Sequence, residues 1–174
     1  MKKLMTVLLP LFLIVVMSSL TTSSSGAAKP EKSPDTVRET QHLTVYIDRL
    51  NLGSDGGEIT VDPIQWYTGE EAEAVFAKLE PDAGIDGPPD GYYIVNEDER
   101  LEHYPVAKNT QVLMQIYDRT GIVEDAEISW NEPVTLEKLA SLLRYADVFD
   151  VSLFPYHLTI ENGQVTGIVQ QYVP

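Results

Sequence analysis

Acidic side chains are the commonest reactive groups in this 174-residue chain, where 27 Asp and Glu stand against 12 Lys and Arg, three His and no Cys. Three of the acids, Asp82, Asp86 and Asp90, fall within one loop, PDAGIDGPPDG. Hard cations take several carboxylate and carbonyl oxygens, so calcium is the one cofactor these residues suggest. An EF-hand needs acids two residues apart, a Gly at its sixth position and a closing Glu, whereas these acids are four apart among prolines. They fit an irregular calcium site or a solvated turn. Other reactive residues lack a supporting pattern. His42, His103 and His157 have no second ligand at a zinc spacing such as H-E-x-x-H. Ser129 lacks the glycine-flanked turn that exposes a serine nucleophile, and the Gly53 to Gly57 segment lacks the Lys of a phosphate loop. A glycosidase pair needs two carboxyl groups roughly 5–9 Å apart. So many acids would supply one by chance, so a carboxylate-dependent hydrolase is an alternative without a motif of its own.

The aromatic residues give a more specific lead. Trp66-Tyr67 and Tyr92-Tyr93 are adjacent pairs, and Tyr46, Tyr117, Tyr156 and Tyr172 recur in other apolar segments. Successive side chains of a strand point to opposite faces, so each pair sends one ring to each side of a sheet. A ring with an apolar body and a hydrogen-bonding tip suits carbohydrate, peptide or protein contact. Trp66, Tyr92 and Tyr93 are therefore the candidate ligand-binding residues. In the competing assignment these rings cover the sheet and close a barrel end.

Several elements must position these groups. Leu43, Val45 and Ile47 alternate with polar residues as in a half-buried strand, and 58–62 resumes the alternation after the glycine-rich turn, predicting a hairpin. The parity of apolar residues changes across Pro63, from Ile59 and Val61 to Ile64 and Trp66, which predicts a bulge there. Thr68 and Glu71 have the spacing of a capping box ahead of a helix with Ala72, Val75, Phe76 and Leu79 on one face. Strands are predicted at 92–96 and 111–118. A second helix follows Thr135, with Leu136, Leu139, Leu143 and Ala146 on its apolar face. The tail reads as a hairpin of 157–161 and 164–172 about Asn162-Gly163. The order ββα, ββ, α, ββ indicates an α+β domain: a curved, mainly antiparallel sheet or small partly open β-barrel of about six strands, with two helices. An OB-type barrel has five strands and usually one central helix, so the second helix makes it only an analogy.

The N-terminus has the three parts of an export signal in order. Lys2 and Lys3 precede an apolar stretch over 4–16, and small residues over 23–28 suit cleavage after Ala27 or Ala28. Pro10, Ser18 and Ser19 interrupt the roughly 20 apolar residues that a membrane span requires. Residues 1–28 are thus expected to be a signal peptide, 29–41 a Pro-rich flexible tether and 42–174 a single domain. The domain has no disulfide to rely on, since the chain has no Cys. Without the signal's two lysines, ten basic residues face 27 acidic ones, a formal charge of −17. That charge disfavours nucleic acid and anionic membrane surfaces and favours cations or basic partners, while keeping an exported protein dispersed.

Residues 66–72 (WYTGEEA), 91–96 (GYYIVN) and the tail with Asn162-Gly163, Val165 and Tyr172-Val173-Pro174 resemble a group of uncharacterised secreted proteins and lipoproteins of Gram-positive bacteria. The resemblance covers most of the mature chain and implies export, with no established activity to carry over. The chain departs from the lipoproteins in lacking their lipidated cysteine, which implies release or retention at the wall. The sequence thus points to a secreted, non-enzymatic binding or interaction module. Its expected partner is a cell-wall component, a peptide or a basic protein, and a calcium-binding surface protein is the alternative.

Overall fold

A computed structural model describes residues 39–98, 100–122, 126–145 and 149–174. The predicted signal peptide, its cleavage site, most of the tether and Ala146 lie outside the described residues. Strands β1 (Thr40–Gly53) and β2 (Gly56–Thr68) form the expected first hairpin through Ser54 and Asp55. Val45 and Ile47 of β1 and Ile59 and Val61 of β2 point into the core. The predicted bulge at Pro63 is absent. β2 runs without interruption past Pro63, and the bulge lies in β1, where the pairs Ile47↔Val61 and Arg49↔Thr60 leave Asp48 as the extra residue. The parity change has another cause. Ile59 and Val61 face the barrel interior, whereas Ile64 is buried outside the core cluster, so the strand exchanges its covered face without changing register. Pro63 sits after β2 has finished pairing with β4 at Val61 and before it meets β3 at Gln65, so its missing N–H costs no ladder bond on that side.

The remaining strands are β3 (Tyr92–Val95), β4 (Glu102–Met114), β5 (Glu132–Val134), β6 (Tyr156–Glu161) and β7 (Gln164–Gln170). Their order is β3-β2-β1-β6-β7-β4-β5, and β2 also pairs with β4, so β2, β1, β6, β7 and β4 close into a ring. The fold is therefore an α+β closed five-stranded barrel with two additional strands, not a partly open sheet of about six. It is mixed, because β4 and β7 run parallel. The strand expected at 111–118 begins at Glu102 and ends at Met114, since Pro105, Lys108 and Asn109 hide the alternation of its first half. Around the ring the barrel strands follow the chain order first, second, third, fifth, fourth, and a helix lies between third and fourth. This is the connectivity of an OB-type barrel. The helix beyond the one such a barrel has, α1 (Gly69–Leu79), belongs with β3 to an insertion between the second and third barrel strands.

The second helix, α2 (Leu136–Arg144), starts as expected at Thr135, whose hydroxyl accepts from the Lys138 amide at 3.1 Å. Leu136, Leu139, Ala140 and Leu142 join the barrel core, so the buried face is turned towards Ala140 and Leu142 while Leu143 stays half-buried. The capping box predicted for α1 does not form. Thr68 makes no side-chain cap bond because it is still a strand residue paired with Tyr92, and the chain turns at Gly69, whose φ is 56°. Ala72 and Phe76 of α1 are buried apart from the barrel core, against the β2–β3 extension. Asn162 and Gly163, at φ 53° and 78°, make the predicted tail turn. The barrel seam depends on Gly56. Its φ is 126°, and a Cβ there would lie 2.1 Å from the Val106 carbonyl oxygen, so only glycine permits the close approach of β2 and β4. Among the described residues no helix is long and apolar enough to cross a membrane.

Candidate binding face on the outside of the barrel

Alternation along β1 and β2 puts Thr44, Tyr46, Asp62, Ile64 and Trp66 on the outer face, opposite the core residues Val45, Ile47 and Val61. β3 pairs with the end of β2 and brings Tyr92 alongside. The Trp66 and Tyr92 rings stack with centroids 4.7 Å apart and planes inclined by 12°. On the other side, His157 from β6 meets Trp66 edge-on at 6.5 Å. The imidazole is held at both nitrogens: Nδ1 lies 3.1 Å from the Thr44 hydroxyl and Nε2 lies 3.1 Å from Gln171 Oε1. The Gln171 amide donates its own N–H to the Tyr172 carbonyl at 2.8 Å, which fixes Oε1 towards the ring. The tautomer protonated at Nε2 satisfies this arrangement, with the Thr44 hydroxyl donating to Nδ1.

Tyr46 pairs across the hairpin with Asp62. Burial pushes the Tyr46 phenol above its usual pKa, and the nearby Tyr92 and Asp62 add to the shift, so the three groups share one neighbourhood. Asp62 Oδ2 accepts from Asn96 Nδ2 at 2.6 Å, whereas Oδ1 is buried with no hydrogen-bond partner. The face therefore combines aromatic rings from β1, β2 and β3 with a carboxylate only half satisfied by the protein.

The structure brings together two of the three sequence-predicted ligand residues. Tyr93 lies on the opposite side, edge-on to Phe76 of α1 at 5.4 Å, with its hydroxyl donating to Glu80 at 3.1 Å. It is a packing residue there, and the Tyr92-Tyr93 pair divides between faces as strand alternation requires. Asp82, Asp86 and Asp90 are exposed, and among the described residues no three His, Asp or Glu side chains gather as a metal site would need. Tyr46, Asp62, Asn96, His157 and Gln171 were not singled out as ligand residues. Parity placed Tyr46 in a strand, but its juxtaposition with Asp62 and Tyr92 depends on hairpin register and on the return of β3.

A second polar cluster has a structural character. Arg119 pairs with Glu132, lies 4.4 Å over the Tyr117 ring and donates to the Glu127 carbonyl at 2.8 Å, while Tyr117 donates to Glu132 at 2.5 Å. The Arg119 guanidinium, followed by the Tyr117 hydroxyl, holds the Glu132 carboxyl below its usual pKa. Glu137 is held low as well, by its backbone and Thr135 hydrogen bonds at the start of α2. A proton-donating catalytic acid needs a shift in the other direction. No protein-family model matches the chain, and neither a curated protein nor a solved structure matches it.

Proposed function

We propose that this chain is an exported binding module without catalytic activity, and that it takes its ligand on the outer face around Trp66 and Tyr92. Export is supported by the charged, apolar and small-residue segments over 1–28, and by the resemblance to secreted proteins of Gram-positive bacteria. The observation that carries the binding reading is the Trp66–Tyr92 stack beside Tyr46 and Asp62. Ring faces favour apolar and cationic groups, and a fixed carboxylate favours donors and cations. Such a face suits a wall glycan, a peptide or a basic protein in preference to a polyanion.

The test is co-sedimentation of the purified protein with cell-wall material, alongside pull-down from secreted fractions, for wild type, Trp66→Ala and Tyr92→Ala. Both variants are expected to stay folded and lose capture. Capture unchanged in both folded variants would remove this face from the function.

A further inference from the structure

A groove of about 580 Å³ lies away from the aromatic face, between β1 and α2. Its volume falls within the roughly 300–1,000 Å³ of small-molecule sites. Leu52 of β1 and Ala140 and Leu143 of α2 give it apolar walls, and Asp48, Arg49 and Arg144 stand among them. Beyond Val45 this stretch of β1 pairs only with β2, which leaves its other edge beside the groove, and the bulge at Asp48 lies within it; bulges commonly re-aim side chains beside functional sites. The charge balance here is reversed. The chain carries a formal −15, yet the two arginines outnumber the single groove carboxylate. Arg144 Nε donates to the Ala140 carbonyl at 3.1 Å, which orients the guanidinium and leaves its terminal nitrogens available. Among the described residues neither Arg49 nor Arg144 forms an ion pair.

We propose that this groove binds a small organic anion: a monocarboxylate with an apolar body, its charge held by Arg49 and Arg144 and its chain lying on Leu52, Ala140 and Leu143. Guanidinium groups match carboxylates in shape and donor spacing. Among the described residues that line the groove, two arginines less Asp48 leave one positive charge, which a carboxylate neutralises and a phosphate dianion exceeds. This site is independent of the aromatic face.

Isothermal titration of the purified protein with octanoate, octanamide, octylammonium and octyl phosphate tests the assignment. Octanoate should bind with octanamide at least about tenfold weaker, and replacing both arginines (Arg49→Gln with Arg144→Gln) should erase that preference. Trp66→Ala should leave octanoate binding unchanged, which separates this site from the proposed wall or peptide face. Methyl NMR of the wild type locates the ligand without any substitution, with shifts expected at Leu52 and Leu143. The proposal is overturned by an absence of octanoate binding at millimolar concentration, equal binding of octanamide or octylammonium, tighter binding of octyl phosphate, retained preference in the double variant, or methyl shifts elsewhere.

Discussion

Replacing Trp66 and Tyr92 singly and together measures whether their stack exists in solution and whether it matters for binding. The rings are near-parallel with centroids 4.7 Å apart, and such pairs contribute about 0.5–1.5 kcal/mol beyond area burial. A fully buried Trp→Ala change costs about 3–5 kcal/mol. Trp66 is half-buried and outside the barrel core, so Trp66→Ala should cost about 2 kcal/mol and Tyr92→Ala about 1–2 kcal/mol. Each single change removes the whole stack, so the double variant should cost about 1 kcal/mol less than the sum of the two. A domain of this size has about 5–15 kcal/mol in hand, so all three variants remain folded and a binding loss can be read as such. The assay is urea denaturation followed by far-UV circular dichroism, because two of the variants keep only the exposed Trp130 as an emission reporter. Losses that add to within about 0.3 kcal/mol would mean that the rings do not stack in solution. Coupled stability losses with intact ligand capture would assign the rings to packing alone.

Gln170 is 1% exposed, and its Oε1 accepts from the backbone amides of Gln115 and Ile116 at 2.8 and 2.9 Å, fastening the end of β4 to β7. Gln170→Leu strands both amides at about 1–3 kcal/mol each while relieving the unpartnered Nε2, so a net loss of about 2–4 kcal/mol is expected in chemical denaturation. Acid should weaken the Arg119–Glu132 link. The folded-state pKa of Glu132 is below its ordinary 4.5, so its stabilisation is complete above that value and is lost as pH falls through the folded pKa. Glu132→Gln should then cost about 1–2 kcal/mol at neutral pH, and the gap to wild type should narrow as pH falls below the ordinary carboxylate value and close once pH has passed below the folded-state pKa in pH-dependent melts. A melt with millimolar calcium against chelator is expected to show no shift, because Asp82, Asp86 and Asp90 do not belong to any converging set of three ligands among the described residues. A clear rise in melting temperature with calcium would restore them as a site.

Local signals in the sequence held where no neighbouring strand claimed the residue, unlike Thr68, which pairs in β2 instead of capping α1. Asn162-Gly163 specified its turn, Thr135 capped α2, and alternation at Val45 and Ile47 gave the inner face of β1. Long-range closure leaves a fainter trace. Nothing local marks the parallel pairing of β4 with β7 or the second partner of β2, and these two contacts turn a sheet into a barrel. Parity at Pro63 was real but admitted two causes, because a strand that covers its outer face after leaving the barrel produces the same pattern as a bulge. The candidate site was half legible for the same reason. Trp66 and Tyr92 were visible as paired aromatics, whereas the contributions of Asp62, Asn96 and His157 exist only once β2, β3 and β6 share a register.

The connectivity also bears on where a ligand would bind. OB-type barrels commonly recognise ligands with the loops after their first and fourth strands. In this chain both loops are minimal turns, Ser54-Asp55 and Asn162-Gly163, too short to reach around a ligand. The elaborated connection is the one between the second and third barrel strands, which inserts α1, the Pro- and Gly-rich loop and β3. That insertion carries Tyr92 onto Trp66 and Asn96 onto Asp62. A plain barrel needs no such addition to close, because β2 and β4 already pair directly. Binding residues concentrate on the connections that a rigid scaffold positions, and here an inserted connection and the Asp62 carboxylate meet at one face. Deleting β3 as part of the insertion should therefore leave the barrel hairpins protected in amide exchange while abolishing ligand capture. Loss of protection throughout β1 and β2 would instead make the insertion part of the fold's support.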